Sequence, residues 1–257
     1  MKKGTPTLSS LGRALTLLRV VIEDGGKSNL SSLARKVGLP VATAHRQATS
    51  LVEFGFLTPV SGGRHMAGPE LLRLLYLIEP KEVIARLAMP AVEALAEDLG
   101  TTVHLGSFDG DMVTYRAKAG VSKGGLFTEV GGQLEAYCSG IGKVLLAHLP
   151  EDERNAYLAN GPFVALTPHT ITDPAELAHE LDHVRSQGLA FDREEIEERL
   201  RCVAVPLFAP DGSVPLALSA SFRNLAENDG TLSAAAERLV RAANNIKDEL
   251  WPKHSSS

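Results

Sequence analysis

Residues 31–53 read SSLARKVGLPVATAHRQATSLVE, and this stretch decides the fold of the first part of the chain. The apolar spacing up to Val37 predicts a short helix that ends at Gly38, because glycine readily adopts the positive φ of a helix C-terminus. After Pro40 the spacing predicts a second helix that runs to about Glu53. Its inward stripe consists of Ala44, Ala48, Leu51 and Val52. Two short helices joined by a tight turn that contains glycine are typical of a helix-turn-helix.

The flanking segments complete a small domain. A further helix is predicted from Ser9 to the breaker at 24–26, because its apolar residues recur at helical spacing. Residues 56–60 and 64–66 flank the turn at 61–63 and predict a β-hairpin with a basic tip. A hairpin that directly follows a helix-turn-helix forms a wing. Residues 1–68 are therefore interpreted as a winged helix-turn-helix domain.

The net charge of the chain also changes sign at the end of this domain. Residues 1–68 hold nine Lys and Arg against three acids, a net charge of +6, whereas the remainder carries −11. A basic module joined to an acidic one suggests that the first part meets a polyanion while the second keeps away from it.

The rest of the chain predicts helices followed by an α+β domain. From Pro69 to about residue 100 the spacing predicts linker helices broken near Pro80 and Pro90. Strands at 101–108 and 112–118 flank Asp109-Gly110, a strong signal for a two-residue hairpin turn. Helices are predicted at 139–148, 173–188 and 233–251, and two more strands at 201–208 and 214–222. We expect an antiparallel sheet with helices, and domains at 1–68, 69–100 and 101–257.

Two features predict a binding pocket in the last domain. If Asp211-Gly212 is a two-residue turn, any two residues that face each other across the hairpin have numbers that add up to 423. One face of the hairpin then carries Cys202, Ala204, Ser219 and Ser221. A three-residue loop would undo this register. Ser139 is a good N-cap, so the first amides of its helix, at 140–142, suit a carboxylate. Helix packing explains the same small residues equally well.

The chain resembles the IclR family of bacterial transcription regulators over nearly its whole length. The resemblance is carried by GLP at 38–40 with TAHR at 43–46, RHMAGP at 64–69, SGIGKVLLA at 139–147, GLAFD at 188–192 and CVAVP at 202–206. It implies a winged helix-turn-helix, a GAF-like effector domain, and a dimer or dimer of dimers. The implied effector contacts are the backbone of Gly140 and Ile141, the side chains of Asp192, Cys202, Ser219 and Ser221, and an apolar wall at Leu126 and Leu134.

One position departs from the family. Arg199 stands where the family usually has glycine shortly before the CVAVP block, so its side chain is expected to line or narrow the pocket. The acidic run at 194–198 before that block is more similar to the family's aromatic-acid regulators than to its glyoxylate-pathway members.

The helix at 41–53 is the candidate DNA-reading element. Arg and Gln side chains pair bidentately with guanine and adenine edges, and Ser and Thr hold phosphates. By itself the polar face could be an ordinary solvated helix surface; the hairpin and the family resemblance favour DNA. The candidate contacts are Val41, Ala42, Thr43, His45, Arg46, Gln47, Ser50 and, on the wing, Arg64.

Other functions find weaker support in the sequence. Gly142-Lys143 fails the phosphate-loop pattern, the run at 194–198 is interpreted as a solvated face, and His179 and His183 as surface residues rather than metal ligands. An enzyme would need Ser139 or Cys138 as nucleophile, with no identifiable base; a purely structural DNA-binding module is the third alternative. We therefore expect a cytoplasmic, non-enzymatic homodimer or tetramer without metal, cofactor or membrane association, bound to a palindromic operator. Its expected effector is a small carboxylate, preferably an aromatic acid such as a hydroxybenzoate.

Overall fold

The computed structural model describes residues 9–121, 128–225 and 230–252. The chain divides into two compact units, one that ends at Glu79 and one that begins at Pro80. The boundary lies inside the linker predicted at 69–100, and it assigns the first linker helix to the first unit and the second to the second.

The first unit has the predicted winged helix-turn-helix architecture. Its helices are α1 (Ser9–Asp24), α2 (Leu30–Lys36), α3 (Val41–Glu53) and α4 (Pro69–Tyr76), and its hairpin pairs β1 (Leu57–Val60) with β2 (Arg64–Ala67). The Asn29 side chain caps α2 by accepting from the Ser32 amide at 2.9 Å. Gly68 is required after the hairpin, because a Cβ there would lie 2.1 Å from the Gly55 carbonyl oxygen. A core from the three helices and the hairpin contains Leu17, Val21, Leu30, Leu33, Ala44, Ala48 and Leu57.

The second unit is built on a six-stranded antiparallel sheet. Its strands are β3 (Thr102–Asp109), β4 (Met112–Ala119), β5 (Gln133–Glu135), β6 (Ala190–Arg193), β7 (Leu200–Leu207) and β8 (Leu216–Arg223), in the order β5-β4-β3-β8-β7-β6. Its helices are α5 (Pro80–Leu99), α6 (Gly140–Ala147), α7 (Glu151–Leu158), α8 (Pro174–Gln187) and α9 (Thr231–Leu250). Among the described residues, no helix is both long and apolar enough to cross a membrane.

The two faces of the sheet differ in chemistry. Helices α5 and α9 cover one face, where Val103, Val205 and Leu218 belong to a continuous apolar core. Helix α6 covers part of the other face against small side chains such as Ala204 and Ala217, and α8 packs against α6. Because strand residues alternate between faces, this second face also receives the polar side chains of β3, β6, β7 and β8.

Two details of the strand connections differ from prediction. Asp109 pairs with Met112, so the tight turn consists of Gly110 and Asp111, both at positive φ, rather than of Asp109-Gly110. The strands β7 and β8 are joined by a longer loop at 208–215 rather than by a two-residue turn.

Helix α5 also differs, because it runs unbroken through Pro90. Pro90 takes away the helical donor of the Arg86 carbonyl, and both residues lie on the exposed side of the helix, so this carbonyl is not buried without a partner. The buried stripe from Ala85 to Ala96 holds both halves of the helix against the sheet.

Candidate functional site

A cavity of about 380 Å³ lies between the polar face of the sheet and the N-terminus of α6. This volume falls within the roughly 300–1,000 Å³ typical of small-molecule pockets. Of the candidate effector contacts, Leu126 lies outside the described residues. All the others line this cavity: Leu134, Gly140, Ile141, Asp192, Cys202, Ser219 and Ser221.

Strand register brings the polar side chains together. Cys202 pairs with Ser221 and with Asp192, so three adjacent strands place these side chains in one row. Ser219 pairs with Ala204 and His104 in the next row. The register predicted from the sum of 423 is therefore confirmed, although the turn from which it was deduced is not.

The N-terminus of α6 closes one side of the cavity. The Ser139 hydroxyl accepts from the Gly142 amide at 3.1 Å and donates to the Glu135 carbonyl at 2.9 Å. Gly142 must be glycine, because a Cβ would lie 2.2 Å from the Ala136 carbonyl oxygen. The amides of Gly140 and Ile141 have no acceptor among the described residues. They are the donors that remain for a ligand at the positive end of the helix.

Asp192 is the unusual group of the cavity. Its side chain is fully buried, and its Oδ1 accepts from the Glu195 amide at 2.8 Å. Its Oδ2 is buried without a hydrogen-bond partner among the described residues. Burial is the main cause that raises the pKa of Asp192 to about 7.

A buried ionic cluster lies behind the cavity. Lys143, in the second turn of α6, is fully buried, and its Nζ donates to Glu195 at 2.7 Å and to Glu180 at 2.9 Å. The interpretation of the run at 194–198 as a solvated face is therefore wrong for Glu195, whose exposed fraction is 4%. The sequence does contain a signal for this cluster, since a single lysine in an otherwise apolar helix needs buried acidic partners.

Sequence reasoning missed the other end of the cavity. His104 stacks on Tyr115 with ring centroids 4.3 Å apart, and its Nε2 lies 2.8 Å from the Thr128 hydroxyl. Burial, helped by nearby Lys118, lowers the pKa of His104 to about 3, so this imidazole is neutral. Extending the alternation of β8 to β3 would have placed His104 on the cavity face.

Arg199 does not line the cavity, so the expectation that it narrows the pocket is wrong. The residue is exposed, and its φ is 62°, in the left-handed region that favours glycine. The usual family glycine is thus explained by backbone conformation.

The two alternative nucleophiles are poorly placed for catalysis. The Ser139 hydroxyl is held in the helix cap, and burial raises the pKa of the Cys138 thiol to about 12. A buried neutral thiol is a weak nucleophile.

In the first unit, α3 presents most of the candidate DNA contacts to solvent. Val41, Ala42, His45, Arg46 and Ser50 are exposed, and Thr43 is half-buried. Arg46 has no hydrogen-bond or ionic partner among the described residues, so its guanidinium is available.

Three candidate DNA contacts are engaged within the protein. The His45 Nε2 lies 3.3 Å from the Ser31 hydroxyl. The half-buried Gln47 donates from Nε2 to the Ser10 carbonyl at 3.2 Å. Arg64 donates from Nε to the Ser61 carbonyl at 2.8 Å, folding back on the wing turn.

Comparison with known proteins matches both units of the chain to models of one family. A family model described as bacterial transcriptional regulator IclR C-terminal matches residues 80–248, and one described as IclR helix-turn-helix domain matches residues 10–61. The HTH-type transcriptional regulator XynR of Escherichia coli strain K12 is 30% identical over 239 residues, which is 92% of this chain and 95% of that protein.

Solved structures are similar over the same length. The IclR of Thermotoga maritima is 27% identical, with a TM-score of 0.59 over 95% of this chain and 99% of that one. An IclR homologue from Microbacterium hydrocarbonoxydans complexed with 4-hydroxybenzoate is 26% identical, with a TM-score of 0.60 over 94% of this chain and 99% of that one.

Proposed function

This chain belongs to the IclR family of bacterial DNA-binding transcriptional regulators, which are not enzymes, and we propose that a small carboxylate bound in its cavity controls its binding to operator DNA. The observation that carries the proposal is the pair of unpartnered amides at Gly140 and Ile141, which line the cavity at the positive end of α6. An anionic oxygen at this point accepts from both amides and is stabilised by the helix dipole.

The proposed carboxylate is an aromatic acid such as a hydroxybenzoate. Tyr115, Leu134 and Ile196 provide flat and apolar walls around the polar floor, which suits a ring that carries one charged group. The complex of the Microbacterium homologue with 4-hydroxybenzoate supports this class of ligand.

A thermal-shift series tests the proposal. The protein is melted with benzoate, 4-hydroxybenzoate, 3-hydroxybenzoate and pyruvate, and with benzamide as the neutral analogue of benzoate. An effector at 100 times its Kd should stabilise the protein by about 2.7 kcal/mol, or roughly 5–10 °C in Tm. A shift with an aromatic acid and none with benzamide is expected. If none of the four acids shifts the Tm, or if benzamide shifts it as much as benzoate, the carboxylate site is wrong.

For the first unit, we propose that α3 enters the major groove and that the wing contacts the backbone. The exposed and unpartnered Arg46 is our candidate for base recognition, with Val41, Ala42, Thr43, His45 and Ser50 around it. Gln47 and Arg64 would first have to leave their partners Ser10 and Ser61. A regulator of this kind acts in the cytoplasm, where its DNA lies.

We further propose that the protein is a homodimer, or a tetramer made of two such dimers, on a palindromic operator. The exposed apolar side chains of the first unit support an association surface, since exposed apolar patches mark interaction sites. On α4 and just after it these are Leu72, Leu75, Tyr76, Leu77 and Ile78, and on α1 they are Leu11 and Leu15. Sedimentation analysis of the full chain and footprinting test this: a monomer on one asymmetric half-site would contradict it.

A further inference from the structure

We propose that the cavity takes its effector as an anion together with one proton, which resides on Asp192 and makes this carboxyl a hydrogen-bond donor to the ligand. This inference rests on the carboxylate site proposed above and adds a requirement on its protonation.

The proposed carboxylate site lies beside a buried acidic side chain. Asp192 lines the same cavity as the free amides of Gly140 and Ile141, and a Cβ on Gly140 would lie only 3.4 Å from the Asp192 amide nitrogen. A ligand carboxylate at those amides therefore lies close to the Asp192 side chain, which is withdrawn from water. Two negative charges at such a place repel each other strongly, because solvent screens them little.

Among the residues that the structure describes, no cation forms an ion pair with Asp192. Lys143 lowers the pKa of this carboxyl, but its Nζ is engaged by Glu195 and Glu180. The Glu195 amide donates to Oδ1 of Asp192, and the weakly donating Cys202 thiol lowers the pKa of this carboxyl, but Oδ2 has no hydrogen-bond partner among the described residues. A protonated Oδ2 aimed at a ligand acceptor would satisfy an atom that is otherwise buried without a partner.

The groups that face Asp192 from its surroundings favour its neutral form. Acidic Glu195 follows on the same chain segment and raises the pKa of Asp192, while Lys143 on α6 lowers it less than burial raises it. Glu180 on α8 adds negative charge on the far side of Lys143. Four titratable neighbours stay neutral at physiological pH: Cys202 on β7, Cys138 before α6, Tyr115 on β4 and His104 on β3. The cavity is also lined by Glu129, Glu197 and Arg223, and the Arg223 guanidinium pairs with Glu197 at 2.8 Å rather than with Asp192.

The proton that binds together with the ligand determines whether affinity rises or falls with pH. In the free protein the pKa of Asp192 is about 7, and a bound anion raises it further. Below pH 6 the carboxyl is already protonated, so affinity hardly changes with pH. Above pH 7 each binding event must take up a proton, and the Kd rises by up to about tenfold for each pH unit.

Isothermal titration calorimetry of the full chain tests this with benzoate and 4-hydroxybenzoate, whose carboxyl groups are fully ionised between pH 6 and 9; benzoate, which has no phenol, gives the proton count. Titrations at pH 8.5 in phosphate and in Tris, whose ionisation enthalpies differ, count the protons taken up. We expect nearly one proton per ligand in the wild type and an increase in Kd of about tenfold between pH 7.5 and 8.5.

Two variants test whether the proton is taken up by Asp192. Asp192→Asn keeps the acceptor for the Glu195 amide and replaces the proposed O–H donor by an N–H donor, so it should bind without proton uptake and with a Kd independent of pH. Asp211→Asn makes the same chemical change in the exposed loop between β7 and β8 and should behave as the wild type. If Asp192→Asn does not fold, as judged by its melting curve, the test is the number of protons that the wild type takes up in the two buffers.

The outcomes separate the two proposals. Binding of either acid with no proton uptake at pH 8.5, or proton uptake that persists in Asp192→Asn, overturns the role of Asp192 and leaves the carboxylate site standing. Failure of both acids to bind at pH 6 overturns the aromatic-acid site, and this inference with it.

Discussion

Replacing Lys143 with methionine should destabilise the second unit by about 3–5 kcal/mol, because the change leaves a buried acid without its cation. Methionine has nearly the same length and shape as the lysine stem, so packing in α6 is preserved. Of the two acids that Lys143 binds, Glu180 retains 21% of its side-chain surface and can turn to water, whereas Glu195 retains only 5%. Most of the loss therefore comes from Glu195.

The assay is urea unfolding at pH 7 followed by circular dichroism, with a second-site rescue. In Lys143→Met/Glu195→Gln the uncompensated charge is gone, so this double variant should regain more than half of the lost free energy of unfolding. Arg238→Met removes an exposed pair with Asp98, in which both side chains keep 41% or more of their surface, and should cost less than about 1 kcal/mol. A Lys143→Met loss as small as that of Arg238→Met, or no rescue by Glu195→Gln, would refute the buried-pair reasoning.

Three further predictions concern single positions. Arg46→Ala should cost about 1–3 kcal/mol on the operator and less on random DNA in gel-shift titrations, whereas Arg64→Ala should weaken both; unchanged operator affinity of Arg46→Ala would remove its assigned role. Arg199→Gly should raise the free energy of unfolding by about 1 kcal/mol, because it relieves a positive φ of 62°, and should leave effector affinity unaltered; a destabilised variant would count against this account. Ser221→Ala should weaken effector binding by about 0.5–1.5 kcal/mol in calorimetry without changing effector-free DNA affinity, and equal effector affinities would move the ligand away from β8.

Whether the sequence predicts a structural feature depends on how far apart in the chain the residues that determine this feature lie. Local signals succeed: Ser139 caps its helix, and Gly188 ends α8 at a φ of 69°. The pairing of β7 with β8 was also correct despite the wrong turn, because apolar and polar residues must each face their own side of the sheet, and a slip of one residue would exchange them.

Two of the failures share one physical cause, which is that burial is decided by elements far apart in the sequence. Glu195 looks like a member of a solvated acidic run until α6 brings Lys143 against it from 52 residues away. His104 is likewise unremarkable until Ser219 becomes its neighbour across β3 and β8. The single-residue displacement of the Asp109-Gly110 turn is of a different kind, since Gly110 and Asp111 both tolerate positive φ and the sequence alone does not distinguish the two positions.

The buried charges around the cavity explain why an anion and a proton should arrive together. Among the described residues, Lys143 is the only buried cationic side chain, and Glu195 with the half-exposed Glu180 already balances it. Arg223, which also lines the cavity, is paired with Glu197. The main positive potential left for a ligand carboxylate is therefore the N-terminus of α6, equivalent to about half an elementary charge. A second negative charge on Asp192 would have no such compensation. If the cavity carries one anion at a time, occupancy by the effector and ionisation of Asp192 become mutually exclusive, and the same carboxyl that donates to the ligand releases it as the pH rises.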